Sequence, residues 1–279
     1  MPIVTIARGS MSGGRAVAEA VAASLGYPCI GREILTDAAV NLGVSPELLG
    51  TALDRVPGIW DRVTAQRRGY LVALQAALSE HVAKGDLVYH SYAGHLLLRG
   101  VPAVLRVRII APLDARIREA MEEEGLDSDA AEARVRRNDE ARARWTRIMY
   151  GVDWADPALY DMVLNLEQLS VGDACASILD VVRQPTFAAT PQTREQHQDF
   201  ALACRVKLAL EHNPASRGLP LEVSAKRGVV TVAGVAPEAV MPAGMRDLFR
   251  GELASVVAAV EGVRAVQLNL RTVAVASLT

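Results

Sequence analysis

Aromatic rings are scarce in this chain. Phe, Trp and Tyr make up 4% of its 279 residues, against 51% hydrophobic residues overall. The core must therefore be built from Ala, Val and Leu rather than from rings. There is ample apolar material for one, and too much for a disordered chain. Charge of one sign is missing too. Thirty Lys and Arg face 32 Asp and Glu, a formal net charge of -2. No global footprint for nucleic acid follows from that balance. The three cysteines, Cys29, Cys175 and Cys204, are odd in number and far apart. They match neither a disulfide framework nor metal-ligand spacing, and their apolar contexts predict buried free thiols. No apolar run reaches the ~18 residues that span a bilayer. The start shows no basic stretch followed by a long apolar one, so no signal peptide is expected. A cytoplasmic protein is the expectation.

What the chain has is alternation. Residues 3–7 read as a short buried strand, followed by a helix with Val17, Val21 and Leu25 on one face and Gly26 at its end. Helical segments are expected over 32–40, 46–53 and 65–84. Strands at 87–91, 104–110 and 160–165 are separated by helices after Pro112, over 128–149 and over 170–182. Strands alternating with helices predict an α/β domain, a parallel sheet with helices on both faces, over residues 1–183. The texture then changes. RQPTFAATPQT suggests a linker over 184–193. Residues 194–279 read as a small α+β domain in the order α-β-β-α-β. Its hairpin turns at Gly228. Its second helix carries Met245, Leu248, Phe249, Leu253, Val256, Val257 and Val260 as an apolar stripe. Its last strand alternates Val266, Leu268 and Leu270 with Gln267, Asn269 and Arg271.

The first strand runs into Gly9-Ser10-Met11-Ser12-Gly13-Gly14-Arg15-Ala16, and a helix begins at once. Strand, glycine loop and helix in that order aim backbone N–H groups and a helix N-terminus at one point, where phosphate fits. The Gly9-x4-Gly14 spacing matches a phosphate-binding loop. Arg15 stands where such loops carry lysine, and its planar fork is also able to grip phosphate. Ala16 replaces the hydroxyl that touches Mg²⁺ in those loops. Ser10 and Ser12 are the hydroxyls that remain. The second cluster is RVRRNDEARARW, residues 134–145. It reads either as a solvated helix face or as a lid that brings cations to a transferring phosphoryl group. Asp139 and Arg142 are neighbours on that helix at i, i+3.

These two motifs resemble the cytidylate kinase-like family. The opening, with its Ser-Gly-Gly-Arg loop, is similar to one branch of that family. Asp139, Arg142, Asp153, Trp154, Tyr160 and Asp161 fit its second pattern. The resemblance covers about residues 1–183. It implies a P-loop kinase-like fold, ATP and Mg²⁺ as cofactors, and a nucleotide or small-molecule acceptor. It assigns Gly9, Ser10, Ser12, Gly13, Gly14, Arg15, Arg136 and Arg137 to the nucleotide, and Arg15, Asp139 and Arg142 to catalysis. No residue is assigned to a metal directly. One departure stands out. Where the family has Gly-Arg after the second strand, this chain has His90-Ser91-Tyr92-Ala93-Gly94, so an arginine that would contact CMP is missing. His90 reads either as a polar group at the ligand end of the strand or as a structural residue. His95 reads as helix surface.

The C-terminal segment resembles the BON domain through VSAKRGVVTVAGV and VEGVRAVQLNL. That resemblance implies attachment to a membrane or protein, ligand sensing, or a homo-oligomer contact, with Lys226 and Arg227 as its basic hairpin tip. Two alternative functions therefore stand open for the chain. One is ATP-dependent phosphoryl transfer to a nucleoside monophosphate. The other is a non-catalytic nucleotide sensor that signals through the C-terminal domain.

Overall fold

The computed structural model describes residues 2–54, 65–91, 93–236 and 243–272. Five parallel strands form the main sheet: β1 (Ile3–Arg8), β2 (Cys29–Ile30), β3 (Leu87–Tyr89), β4 (Val104–Ile110) and β5 (Met162–Asn165). Their spatial order is β2-β3-β1-β4-β5. Parallel pairing requires a crossover between neighbours, and helices supply it. One face is covered by α1 (Gly14–Leu25) and α8 (Val171–Val182), where Val17, Val21 and Ile178 pack on Val4, Ile6 and Val107. The other face is covered by α2 (Ile34–Leu42), α3 (Pro46–Asp54), α4 (Ala65–Lys84) and the single turn α5 (Gly94–Leu97). There Ile34, Leu74 and Leu78 pack on Ile3, Leu87 and Tyr89. This is the doubly covered α/β sheet that the alternation predicts.

The two-residue strand β2 had no sequence signal, because periodicity needs a longer run to register. It raises the strand at 162–165 from fourth to fifth. That strand starts two residues late, since a 3-10 turn over Pro157–Leu159 precedes it and the Tyr160 N–H closes that turn on Pro157 O. Two further helices, α6 (Leu113–Glu124) and α7 (Ser128–Tyr150), form a hairpin around Gly125, packed through Ala120, Ala131 and Val135. The partly buried Met11 of the glycine loop packs against that hairpin core.

The proposed linker is largely structured. Pro185–Phe187 makes one 3-10 turn. Thr190 accepts the Thr193 N–H and Pro191 occupies the first turn, so α9 (Pro191–His212) begins earlier than residue 194. Beyond it, β6 (Leu221–Lys226) pairs antiparallel with β7 (Val229–Ala236). The connecting Arg227 and Gly228 both have positive φ, 52° and 81°, which suits a two-residue hairpin turn. α10 (Ala243–Ala258) then returns the chain to β8 (Ala265–Thr272), parallel to β7. Val206, Leu210, Val230, Val232, Phe249, Leu253 and Val257 form the core of this second unit. Met245 and Leu248 were expected in that stripe but are 53% and 75% exposed. Phe249, Leu253 and Val257 follow i, i+4, i+8, and Leu248 is turned about 100° from that line.

α9 serves both units. One side closes the second core. On the other side Phe200 and Leu208 pack against the first core beside α4. His197, 2% exposed, donates to Pro102 O at 2.8 Å, and Arg205 pairs with Glu80 at 2.8 Å. The basic hairpin tip is tied down as well. Arg227 donates its side chain to Glu195 and its backbone N–H to Asp199. No described helix is long and apolar enough to cross a membrane.

Gly234 sits at φ 146°, and a Cβ there would stand 2.5 Å from Pro220 O and 3.2 Å from Leu221 Cα. Backbone atoms of a paired strand do not yield easily. Gly234→Ala is expected to cost about 2 kcal/mol. Urea denaturation should show a lower midpoint, and an unchanged midpoint would contradict the β6–β7 register.

Candidate active site

The glycine loop leaves β1 at Gly9 and enters α1 at Gly14. Met11 and Gly13 adopt positive φ, 54° and 72°. Gly14 has no room for a side chain, since a Cβ would lie 2.6 Å from the Cβ of Arg8. Ser12 is buried, and its hydroxyl donates to Gly9 O at 3.0 Å, so it shapes the loop rather than facing outward. α1 starts without a side-chain cap and without an acidic residue in its first turn. A twelve-residue helix that begins this way presents backbone donors and the positive end of its dipole to an anion.

α6 and α7 clamp the loop from the other side. Arg116 donates to Ser10 O at 2.7 Å and pairs with Asp139. Asp139 also accepts the Ser10 N–H at 3.1 Å, and Asn138 donates to Ser10 Oγ at 3.1 Å. Arg142 donates to Arg8 O. Asp139 and Arg142, singled out in the sequence, therefore lie against the loop. Arg15 lies elsewhere, 71% exposed and bonded to Glu19 at 2.8 Å. Arg136 is bonded to Glu132 one turn back on α7, and Arg137 is exposed.

Beside the loop lies a cavity of about 330 Å³ at the C-terminal ends of β1 and β3. Open α/β sheets place ligands at that edge. Arg8, Arg32, Arg134 and Arg142 line it, and among the described residues no lining residue is acidic. Burial, then repulsion from Arg142 and Arg15, lowers the pKa of Arg8. Arg8 Nε is buried without a partner. His90 also lines the cavity, and burial followed by Arg8 pushes its pKa down. Arg108 and Arg142 approach the ring of Trp154 at 4.8 and 5.3 Å. Tyr92 lies outside the described residues.

His95 corrects the sequence expectation. It is 3% exposed rather than on a helix surface. α5 is a single turn pressed on the sheet, and the Tyr160 ring covers His95 at 4.7 Å. Cys29 is partly exposed where a buried thiol was expected, while Cys175 and Cys204 are buried. Burial pushes the Cys29 thiol up to about 11, so it is no nucleophile at neutral pH. Among the described residues no group of three or more His, Cys, Asp or Glu side chains is placed to hold a metal.

Sequence reasoning missed Arg8, Arg32 and Arg116, and it gave Arg134 and Asn138 only as members of the charged cluster, with no role of their own. Arg8 carried a signal, a cation closing an apolar strand directly before the loop. Arg116 carried none, because its partner Asp139 is 23 residues away on another helix.

The sequence profile of the Cytidylate kinase-like family matches residues 3–168. The chain belongs to that family. It is similar to a cytidylate kinase from Methanopyrus kandleri, 30% identical over 115 residues that make up 41% of this chain. Those residues cover 55% of the relative, so the chain spans about half its length. A crystal structure of an uncharacterized protein from Eubacterium ventriosum superposes with a TM-score of 0.50 at 18% identity. It covers 65% of this chain and 98% of that one, and it shows the shared fold. In this kinase-like chain the matched residues run from β1 past β5 and include both the loop and its clamp. The second sheet lies beyond them.

Asp161, just before β5, is tied to β4. Its carboxylate accepts the Arg106 backbone N–H at 2.8 Å and the guanidinium at 3.0 and 2.7 Å. Burial opposes ionisation, but the bonds from Arg106 prevail and hold the carboxyl below its ordinary value of 3.8. A depressed carboxyl stabilises the fold above its unfolded pKa and loses that contribution as pH falls through the folded value. Asp161→Asn is expected to cost about 1 kcal/mol at neutral pH, after allowance for solvent screening. Thermal unfolding at descending pH should show the gap to the unmodified protein closing below about pH 4.

Proposed function

We propose that this chain transfers the terminal phosphoryl group of ATP to a nucleoside monophosphate of the CMP type or to a related small phosphorylated acceptor. One observation carries the reading. A cavity walled, among the described residues, by four arginines and no carboxylate opens beside a glycine loop at the end of a parallel sheet. An anion is the ligand such a wall favours. The arginine missing after β3 is made good by Arg8 from β1, Arg32 from the β2–α2 turn and Arg142 from α7.

The loop amides from Gly9 to Gly14 and the start of α1 would hold the donor phosphates. Arg15 would exchange its exposed bond to Glu19 for a phosphate oxygen, because a solvated i, i+4 pair is weakly held. Arg142 would bridge loop and acceptor. Asp139 would position Arg116 and Ser10 rather than touch the reacting atoms. Mg²⁺ would neutralise charge on the nucleotide, carried by phosphate oxygens and water, since Ala16 offers no hydroxyl and Ser12 is turned inward. The C-terminal unit, BON-like in sequence, would regulate or attach the kinase domain through α9.

A second reading, a nucleotide sensor without turnover, has one observation in its favour. α9 packs on α4, and α4 leads directly into β3 and His90. Ligand in the cavity is thereby linked mechanically to the second unit.

An ADP-release assay with ATP, Mg²⁺ and each nucleoside monophosphate separates the two. Turnover with a monophosphate is expected. Arg142→Ala should raise the acceptor KM by roughly ten- to a hundredfold, and Arg15→Ala should weaken ATP binding. Calorimetric ATP binding without turnover on any acceptor would favour the sensor. Unchanged kinetics in Arg142→Ala would remove the cavity from the reaction.

A further inference from the structure

Trp154 lines the cavity and is 7% exposed. It stands in the short connection between α7 and β5, and that connection is held at several points. Asp153 accepts the Ala155 N–H on its carboxylate at 2.9 Å and the Asp156 N–H on its carbonyl at 3.0 Å. The Tyr160 hydroxyl donates to Trp154 O at 2.8 Å, and Arg108 of β4 donates to Ala155 O at 2.6 Å. The indole is therefore a fixed surface, tied to β4 through Arg108 and to the approach to β5 through Tyr160.

Two guanidinium groups share that surface. Arg108 lies 4.8 Å from the ring centroid and Arg142 lies 5.3 Å from it. Both are within the roughly 6 Å over which an aromatic face attracts a cation. Arg108 stands on the sheet itself. Arg142 comes from α7 on a long side chain, and holding such a chain in one place costs rotamer entropy. An indole holds a guanidinium by its ring quadrupole and occupies none of the N–H donors. A carboxylate in the same place would take up the N–H fork and cancel its charge. Arg142 lines the cavity and donates to Arg8 O, so its support by a ring keeps a cation aimed where an anion would enter.

We infer that Trp154 is a positioning residue for acceptor binding: its indole face holds the Arg142 guanidinium at the cavity wall, oriented for the phosphate of a bound monophosphate. Trp154 acts through Arg142 and touches no reacting atom. This rests on the acceptor reading of the cavity.

The test uses calorimetric binding of CMP to the full chain with position 154 varied. Trp154→Phe keeps an aromatic face of smaller attraction, and Trp154→Leu keeps apolar bulk alone. CMP should bind roughly three- to thirtyfold more weakly to Trp154→Leu, with Trp154→Phe in between. In an Arg142→Ala background the same two changes should have little or no further effect. A loss of equal size in both backgrounds, or no loss in either, overturns the role of Trp154 alone. Fluorinated tryptophans introduced at position 154 only cover the case in which Trp154→Leu fails to fold. Fluorine keeps the shape of the indole and weakens its negative face, so CMP binding should fall stepwise as fluorines are added. Unchanged binding across that series overturns the role as well. Absence of binding of CMP and every other nucleoside monophosphate to the unmodified protein overturns the acceptor reading, and the Trp154 role with it.

Discussion

A cation at the end of the central strand sets the terms for the rest of this structure. Arg8 closes β1, a largely apolar strand at the middle of the sheet, and its Nε is buried without a partner. Placing charge there is costly unless something negative meets it. Among the described residues, the lining of the neighbouring cavity adds three further arginines and no acid. The wall at the edge where the strands end is thus rich in positive charge, with Arg134 also paired to Glu124. Such a wall attracts an anion, and burial first, then repulsion from Arg142 and Arg15, already weakens the hold of Arg8 on its proton.

The glycine loop and its clamp are organised around the same spot. Ser10 is the joint. Its carbonyl is taken by Arg116, its N–H by Asp139 and its hydroxyl by Asn138. Three side chains from two helices therefore hold one loop residue, while α1 begins uncapped. The loop is shaped from outside and open at the helix end. That division lets backbone donors remain available while the loop itself stays in one conformation. Trp154, Tyr160 and Asp161 perform a similar service on the far wall, through ring contacts and the Arg106 pair.

The second unit is not an appendage on a free linker. α9 contributes apolar side chains to both cores, and His197 and Arg205 anchor it to the first. A chain segment assigned to one domain by its sequence texture is thus a structural wall of another. Separation of function between the two units is correspondingly limited by shared packing.

The sequence by itself determined the alternating elements of the sheet, the glycine loop and its placement before α1, and the α-β-β-α-β order of the second unit. These depend on local periodicity and on glycine and proline geometry, which act over a few residues. It also singled out Asp139 and Arg142, because a charged helix far from the loop matched a known pattern. Tertiary structure alone decided that Asp139 meets Arg116, that four arginines from β1, the β2–α2 turn and α7 share one cavity, and that His95 is buried. Those facts depend on which strand ends lie side by side and on how closely Gly94 lets α5 approach the sheet. Spacing along the chain carries no record of either, so side chains more than 100 residues apart, such as Ser10 and Asp139, come together only when the parallel sheet is assembled.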